Sequence, residues 1–248
     1  MREVQGVAVE RSDCDFYHVI EFPDGFTSAG QWDLRRGVEA YVGGVALRGP
    51  RVLEIGPASG FLSIHMERQG AEVTCIEPPM DALWDFVPRA GIDLAAHRER
   101  FASHIQRVRN SFWHTHRAFG AKARLFEADA YDLPDALGDF DVGLLGSVLL
   151  HCSSPVRMIQ SVAARIERTL IITDLYYRDL GDQPICRLAP NAKNGVVDTW
   201  WQFSPRFFVQ FLSVVGFPEA SVTRHKQYFS AERRWLEMFT VVATRAPQ

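Results

Sequence analysis

The residues with the clearest chemical potential lie in a short turn, Glu54-Ile55-Gly56-Pro57-Ala58-Ser59-Gly60. The turn follows the apolar run RVLEI and precedes the amphipathic segment FLSIHMERQG, which predicts a strand, a tight turn and a helix. Gly56 and Gly60 allow the backbone to bend sharply and to approach a ligand without a side chain in the way. Because open α/β sheets bind ligands beyond the carboxyl ends of their strands, the turn is a candidate ligand loop.

Two acidic residues follow the next two predicted strands. Glu77 ends the run AEVTCIE, where a carboxylate could accept hydrogen bonds from both hydroxyls of a ribose. Asp129 lies in FEADAYDLP, just after the third strand, where it could accept from an adenine amino group. Together with the turn, these acids predict a ligand that contains adenosine.

The glycine spacing separates two such ligands. In the dinucleotide fingerprint GxGxxG, the second glycine admits a pyrophosphate. Aligned on Gly56, this chain has Ala58 and Phe61 at the second and third glycine positions. The pattern therefore favours S-adenosylmethionine over a nicotinamide dinucleotide. A mere tight turn with solvated acids is a third interpretation, and the agreement of three features disfavours it.

With S-adenosylmethionine as the ligand, the acceptor of its methyl group should lie over the carboxyl ends of the fourth and fifth predicted strands. A catalytic base is therefore expected where the fourth strand ends. His151 follows the fourth strand in GSVLLHCSS and could remove a proton from a hydroxyl or an amine. A packed or capping histidine that faces no substrate is an equally acceptable interpretation. Both stay open at this point.

Further candidates surround the predicted acceptor site. Asp174, Tyr176 and Tyr177 end the fifth strand, and Trp200 and Trp201 precede the C-terminal helix. Tyr176 and the tryptophans are predicted to contact the substrate, with one tryptophan forming a wall and the other belonging to the core. Asp174 could orient a base or a substrate, but a turn cap that needs no ligand is the favoured interpretation.

The elements that must position these residues alternate between strand and helix, which predicts a parallel sheet with right-handed crossovers. The predicted fold is a Rossmann-like, doubly wound α/β domain with a mostly parallel seven-stranded sheet and an antiparallel C-terminal strand. Residues 1–48 form an N-terminal lid segment and a helix from Trp32 to Val45. Residues 49–248 form the main domain, with further helices at Pro155–Ile166 and Pro205–Val215.

The main domain carries an insertion at about 80–122. Phe101, Ile105, Val108 and Phe112 recur at helical spacing, so much of it should be an amphipathic helix that covers something. The insertion is also rich in basic residues, namely Arg89, Arg98, Arg100, Arg107, Arg109, Arg117, Lys122 and Arg124. These could attract an acidic acceptor or RNA. An ordinary solvated helix face is the favoured interpretation, because the arginines interleave with the apolar stripe.

Composition narrows the class of protein. The 248 residues carry a formal net charge of −3, which disfavours a general nucleic-acid-binding surface. No apolar run approaches the length of a membrane span, and the first residues lack a signal-peptide core. The cysteines form no metal-type cluster, and His114 and His116 would lie on different helix faces, so no metal is expected. A cytoplasmic enzyme fits best.

At the level of families, the chain resembles the class I S-adenosylmethionine-dependent methyltransferases, and among them the tRNA wobble-uridine methyltransferase-like group. The segments that carry the resemblance are FYHVIEFPDGFTSAGQWDLR, VLEIGPASGFLSIHMERQGAEV, LGSVLLHCSSPVRMI and DTWWQFSPRFFVQFLSVVGF. The resemblance implies that the cofactor is contacted by Glu54, Gly56, Gly60, Glu77 and Asp129. It also implies that the lead-in bearing Tyr17, His18, Gly30 and Trp32 folds over the methionine end of the cofactor.

Three functions follow from these observations. The leading hypothesis is methyl transfer from S-adenosylmethionine to a small-molecule acceptor, with His151 as the base. A hydroxyl is favoured over nitrogen or carbon as the group that is methylated. The alternative is a methyl- or carboxymethyltransferase that modifies tRNA. A non-catalytic protein that binds S-adenosylmethionine is the third, and the aromatic lead-in and His151 argue against it.

Overall fold

The computed structural model of the chain describes residues 1–81 and 85–246, in which strands and helices alternate along the chain. The strands are β1 (Arg2–Glu3), β2 (Trp32–Asp33), β3 (Arg51–Ile55), β4 (Glu72–Glu77), β5 (Arg124–Glu127), β6 (Phe140–Gly146), β7 (Ile166–Leu175), β8 (Cys186–Leu188), β9 (Trp201–Phe203), β10 (Glu219–Phe229) and β11 (Arg234–Thr244). The α-helices are α1 (Val38–Tyr41), α2 (Phe61–Arg68), α3 (Leu94–Phe119), α4 (Pro155–Ala163) and α5 (Pro205–Val214). Residues 82–84 of the predicted insertion lie outside the described residues.

Within the described residues, the main sheet has nine strands in the order β1-β5-β4-β3-β6-β7-β11-β10-β2. Strands β5, β4, β3, β6 and β7 run parallel, and β11 pairs antiparallel with both β7 and β10. This confirms the predicted Rossmann-like fold and its antiparallel C-terminal strand. The sequence analysis did not predict the two-residue strands β1 and β2, which extend the seven predicted strands at the two edges. Strands β8 and β9 form a separate small sheet.

Apolar layers cover both faces of the sheet, because alternate residues of each buried strand point to opposite sides. On one face, Val52 packs in a cluster with residues of α1, α2 and α3. On the other, Leu53 packs with residues of α4 and α5. The parallel strands are therefore buried on both sides, and their carboxyl ends meet at one edge of the sheet.

The helix predicted from Trp32 to Val45 is wrong in its extent. Trp32–Asp33 is a strand that pairs with β10, and only Val38–Tyr41 is helical. Gly37 precedes the helix, and Gly43 and Gly44 follow it with φ of 70° and 64°. Since these backbone angles are left-handed, the glycines end the helix after one turn. The sequence pattern had included the apolar Trp32, which the sheet edge recruits instead.

The remaining helices follow the predictions more closely. α3 confirms the amphipathic helix of the insertion, and the carboxylate of Asp93 caps its first turn by accepting from the backbone N–H groups of Ala95 and Ala96. α4 ends at Ala163 instead of Ile166, because Ile166 is the first residue of β7. α5 begins at Pro205, and Ser204 caps it as an acceptor for Phe207 N–H.

Candidate functional site

The glycine-bearing loop at the end of β3 turns through left-handed backbone conformations. Gly56 and Gly60 have φ of 73° and 79°, and Ala58 has φ of 49° despite its side chain. Gly56 N–H donates to the carbonyl of Ile76 at 2.9 Å, which fastens the loop to β4. A non-glycine residue in this region is strained and persists only where its surroundings hold it. The loop thus has a fixed shape that both glycines are needed to form.

Glu77 lies beside this loop at the end of β4. Its side chain is buried, and it accepts a hydrogen bond from the backbone N–H of Ala58. Burial raises the pKa of Glu77 to about 7, while the nearby charge of Arg109 acts in the opposite direction. A buried carboxylate at the end of the second parallel strand, next to a glycine loop, suits the paired hydroxyls of a ribose.

Glu54 has a different environment, although it stands at the start of the same motif. It is buried, accepts from Ser63 Oγ at 2.5 Å and contacts the Cys75 thiol at 3.6 Å. Burial raises its pKa to about 7. These contacts connect β3 to α2 and β4, so Glu54 stabilises the elements that flank the loop.

Asp129 follows β5 and is exposed at the same edge of the sheet. Its Oδ1 accepts from the backbone N–H of Tyr131 at 2.9 Å, which forms a local turn. The two acids, Glu77 and Asp129, therefore end adjacent strands, since Glu77 pairs in register with Glu127. This agrees with the spacing that the sequence analysis used.

The N-terminal lead-in is joined directly to the glycine loop. The fully buried hydroxyl of Ser59 accepts from the backbone N–H of Tyr17 at 2.6 Å and from that of His18 at 3.1 Å. Trp32 forms a side-chain hydrogen bond with Tyr17. Three of the predicted lead-in residues, Tyr17, His18 and Trp32, are therefore gathered beside the loop.

His18 is buried next to the ring of Phe61, with the ring centroids 5.7 Å apart. Burial lowers the pKa of His18 to about 3, so its ring is neutral at ordinary pH. Its Nδ1 has no hydrogen-bond partner within residues 1–81 and 85–246. Gly30 packs so close to the His18 backbone that a Cβ there would lie 2.0 Å from the His18 carbonyl carbon. Only glycine fits at this position.

His151 lies on a single helical turn, Leu149–His151, that follows β6. Its Nδ1 is 2.5 Å from the backbone carbonyl oxygen of Asp198. A carbonyl oxygen can only accept, so in the neutral ring the proton is on Nδ1 and Nε2 is the basic nitrogen. The same segment is held by the backbone N–H of Trp200, which donates to the carbonyl of Leu150 at 2.8 Å.

The aromatic candidates for substrate contact are fixed by internal contacts. The indole N–H of Trp200 donates to the carbonyl of Asp85, and that of Trp201 donates to the carbonyl of Cys152 at 2.9 Å. Tyr176 lies under the guanidinium of Arg224, 4.1 Å from its ring centroid. All three side chains are half-buried, and the indole N–H groups of both tryptophans already have acceptors within the protein.

Asp174, which the sequence analysis interpreted as a turn cap, is deeply buried at the end of β7. Its side chain is 2% exposed, and Oδ1 accepts from the N–H of its neighbour Leu175 at 2.7 Å. Its Oδ2 has no hydrogen-bond partner in the part of the chain that the structure describes. Burial raises its pKa to about 7. The signal in the sequence was a carboxylate directly after the buried run Leu170–Thr173 of this strand.

Among residues 1–81 and 85–246, no group of three or more His, Cys, Asp or Glu side chains could hold a metal ion. No helix in that part of the chain has the length and apolar character needed to cross a membrane.

Comparison with solved structures identifies the fold as that of the class I S-adenosylmethionine-dependent methyltransferases. The N-terminal domain of EvdMO1, crystallised in the presence of S-adenosylhomocysteine and D-fucose, is 19% identical with a TM-score of 0.53, covering 95% of this chain and 94% of that one. A methyltransferase from Methanosarcina mazei is 16% identical with a TM-score of 0.53, covering 81% and 94%.

A third structure extends the comparison to a complex with a methyl acceptor. The 1,6-didemethyltoxoflavin-N1-methyltransferase of Burkholderia thailandensis, with its acceptor and S-adenosylhomocysteine bound, is 17% identical with a TM-score of 0.50, covering 86% and 82%. No protein-family model and no curated protein sequence matches this chain. The likeness therefore defines the fold, and the identity of the methyl acceptor has to be inferred from the site itself.

Proposed function

We propose that this protein is an S-adenosylmethionine-dependent methyltransferase that acts on a small-molecule acceptor. The observation that carries the proposal is the strained Gly56–Gly60 loop with the buried carboxylate of Glu77 hydrogen-bonded to its backbone. Such a loop and acid at the carboxyl ends of adjacent parallel strands fit an adenosyl group. When bound, S-adenosylmethionine supplies a methyl group on a positively charged sulfur.

The residues that would hold the cofactor divide by role. Glu77 would accept from the ribose hydroxyls, and Asp129 would face the adenine. Tyr17 and Trp32 would cover the methionine end from the lead-in. Glu54 would act through the loop, since its carboxylate is bonded to Ser63. Ala58 leaves no glycine at the position that a dinucleotide pyrophosphate requires, which supports the adenosyl ligand.

His151 would remove the proton of the acceptor. The contact with Asp198 leaves Nε2 as the basic nitrogen, which is the form required of a general base. Since proton removal makes a hydroxyl more nucleophilic, this arrangement favours methylation at oxygen. The enzyme's other task is to hold the acceptor in line with the transferred carbon, which depends on the surrounding walls.

A small molecule is favoured over tRNA because three of the five arginines of α3 have partners inside the protein, while Arg98 and Arg100 are exposed. Arg109 is buried against Glu127 at 2.9 Å, and Arg107 donates to the carbonyl of Ser12 at 3.0 Å. Arg117 donates to the carbonyl of Val9 at 2.7 Å. Arginines held in this way contribute little to a phosphate-binding surface. Modification of tRNA, by methyl or carboxymethyl transfer, is the alternative that the resemblance of the sequence supports.

Calorimetry tests the proposal through the cofactor. We expect S-adenosylmethionine and S-adenosylhomocysteine to bind and NAD to give no heat. Binding of NAD alone would contradict the proposal. For catalysis, His151→Gln should reduce methyl transfer by roughly 10²–10⁴-fold with unchanged cofactor affinity. A combined loss of affinity and rate would instead indicate a structural role for His151.

A further inference from the structure

The carboxylate of Asp174 stands out among the buried polar groups near the proposed active site. It lies at the carboxyl end of β7, beside β6, where the backbone N–H of Ser147 donates to the carbonyl of Thr173 at 2.7 Å. Ser147 has φ of 52°, so the backbone is strained at the point where the two strands end. Asp174 thus belongs to the sheet edge that carries the glycine loop and His151.

One oxygen of this carboxylate is unsatisfied. Oδ1 has a local partner in Leu175 N–H, but Oδ2 is shielded from solvent and has no partner in residues 1–81 and 85–246. A buried acceptor without a donor costs about 1–3 kcal/mol, and more when it is charged. A turn cap would not require the second oxygen to be buried. A native protein retains a buried acceptor without a donor only where something offsets the cost, and a donor that arrives with a ligand would do so.

Three tyrosines lie within electrostatic range of Asp174, and among the described residues no cation contributes to its pKa. Burial raises the pKa of Asp174, and the hydrogen bond from Leu175 N–H acts in the opposite direction. The pKa values of four other groups are raised mainly by their own burial and, to a smaller extent, by the charge of Asp174. These groups are Tyr17, Tyr41, Cys152 and Tyr177. Tyr17 is the residue that Ser59 holds at the glycine loop, so Asp174 is near the lead-in that would cover the cofactor.

We infer that Asp174 recognises the methyl acceptor by accepting a hydrogen bond from an O–H or N–H group through Oδ2. The inference rests on the proposed methyltransferase function and narrows its substrate class. The acceptor carries a hydrogen-bond donor, and the aromatic neighbours suit a planar ring such as a phenol. A site built to bind a donor discriminates strongly against analogues that lack it, because the buried carboxylate is then left unpaired.

The first test requires no acceptor. Asp174→Asn keeps the shape of the side chain and removes the charge, and the control Asp182→Asn changes an exposed aspartate later in the chain. If Asp174 awaits a ligand, Asp174→Asn should raise the melting temperature by a few degrees at pH 8. The gain should disappear at pH 5.5, where Asp174 is protonated, and Asp182→Asn should change neither value. A lower melting temperature for Asp174→Asn at both pH values would show a structural carboxylate and overturn the inference.

The second test measures binding of a matched pair of probes to protein saturated with S-adenosylhomocysteine. Catechol has two hydroxyl donors, and its dimethyl ether, veratrole, has none. We expect catechol to bind the wild type at least tenfold more tightly than veratrole, and Asp174→Asn to abolish the difference. Equal behaviour of the two probes with the wild type, including no binding of either, would overturn the inference.

Calorimetry with S-adenosylhomocysteine separates this inference from the proposed function. The affinity of Asp174→Asn should remain within about twofold of wild type, because Asp174 is assigned to the acceptor. If the wild type itself fails to bind S-adenosylhomocysteine, the proposed function fails. If cofactor binding is intact but the probes are not distinguished, only the assignment of Asp174 fails.

Discussion

The hydroxyl of Ser59 accepts a hydrogen bond of 2.6 Å from the backbone N–H of Tyr17, across 42 positions of sequence. Ser59 belongs to the glycine loop, and Tyr17 belongs to the lead-in that precedes the sheet. The same oxygen accepts from His18 N–H. The lead-in is therefore attached to the proposed cofactor loop through one buried side chain, and its position should depend on that side chain.

Removing this hydroxyl should loosen the lead-in. Ser59→Ala leaves the buried N–H groups of Tyr17 and His18 without their acceptor, which should lower the free energy of unfolding by about 1–3 kcal/mol. Hydrogen exchange should quicken in residues 14–32 and remain unchanged in β10 and β11. Ser213→Ala, on the exposed face of α5, is the control and should alter neither quantity. Unchanged exchange in the lead-in would mean that other contacts hold it.

Glu77 should dominate recognition of the cofactor. Glu77→Ala should weaken binding of S-adenosylhomocysteine by roughly 1.5–3 kcal/mol, the scale of hydrogen bonds to a charged group. Glu72→Ala, at the exposed start of the same strand, should bind like the wild type. Isothermal titration calorimetry measures both. An unaltered affinity of Glu77→Ala would show that the ribose has a different partner.

The ligand-free protein should lose stability as the pH rises toward and through neutrality. The pKa values of Glu54, Glu77 and Asp174 are each raised to about 7, mainly by burial. At these three carboxyls the folded state therefore binds more protons than the unfolded state between about pH 4 and pH 7. His18 and His225, whose pKa burial lowers to about 3 and about 4, act in the opposite direction only below their ordinary value of 6.5. By linkage, the stability that these carboxyls contribute is greatest below their unfolded pKa values and is lost as the pH rises to and through 7, so the net fall is expected above about pH 6.5.

Urea unfolding at pH 5.5 and pH 8 measures this effect. Glu54→Gln, which retains an acceptor for Ser63 but cannot ionise, should reduce the difference between the two pH values. Glu99→Gln changes an exposed side chain of α3 and serves as the control. Equal stability of the wild-type protein at both pH values would contradict the assigned shifts.

The lead-in and the helical insertion should respond together to the cofactor. Asp15 N–H donates to the carbonyl of Arg107 at 3.0 Å, and the ring of Phe22 lies 5.4 Å from that of His114. If these segments form a roof over the site, S-adenosylhomocysteine should slow hydrogen exchange in residues 1–32 and in α3, since a closed cover excludes water. Protection confined to the Gly56–Gly60 loop would mean that the two segments only pad the side of the domain.

Binding of tRNA should be weak and strongly dependent on salt. The net charge of −3 and the internal partners of three of the five α3 arginines reduce the attraction for a phosphate backbone. Filter binding of bulk tRNA at about 0.15 M salt should show no saturation at micromolar protein. Tight binding, with methylation at a defined nucleotide, would favour the RNA alternative.

Local sequence was sufficient for the parts of the molecule that depend on short-range pattern. Apolar runs predicted the strands β3 to β7, and the apolar stripe from Phe101 to Phe112 predicted α3. The glycines of the ligand loop could be identified because a left-handed turn between a strand and a helix requires them. Trp32 was assigned to the wrong element, because pairing with β10, nearly 200 positions away, decided its conformation.

Within the candidate site, too, some residues could be predicted from local sequence and others depended on tertiary packing. Glu77 and Asp129 could be located from the sequence because each ends a strand, and parallel strands bring their carboxyl ends to one edge. The roles of Glu54 and Asp174 could not, since they depend on whether a carboxylate meets a donor in the folded core. Ser63 supplies that donor to Glu54, whereas Oδ2 of Asp174 has none among the described residues. Periodicity fixes which face a residue occupies, but only tertiary packing decides which polar groups are satisfied there.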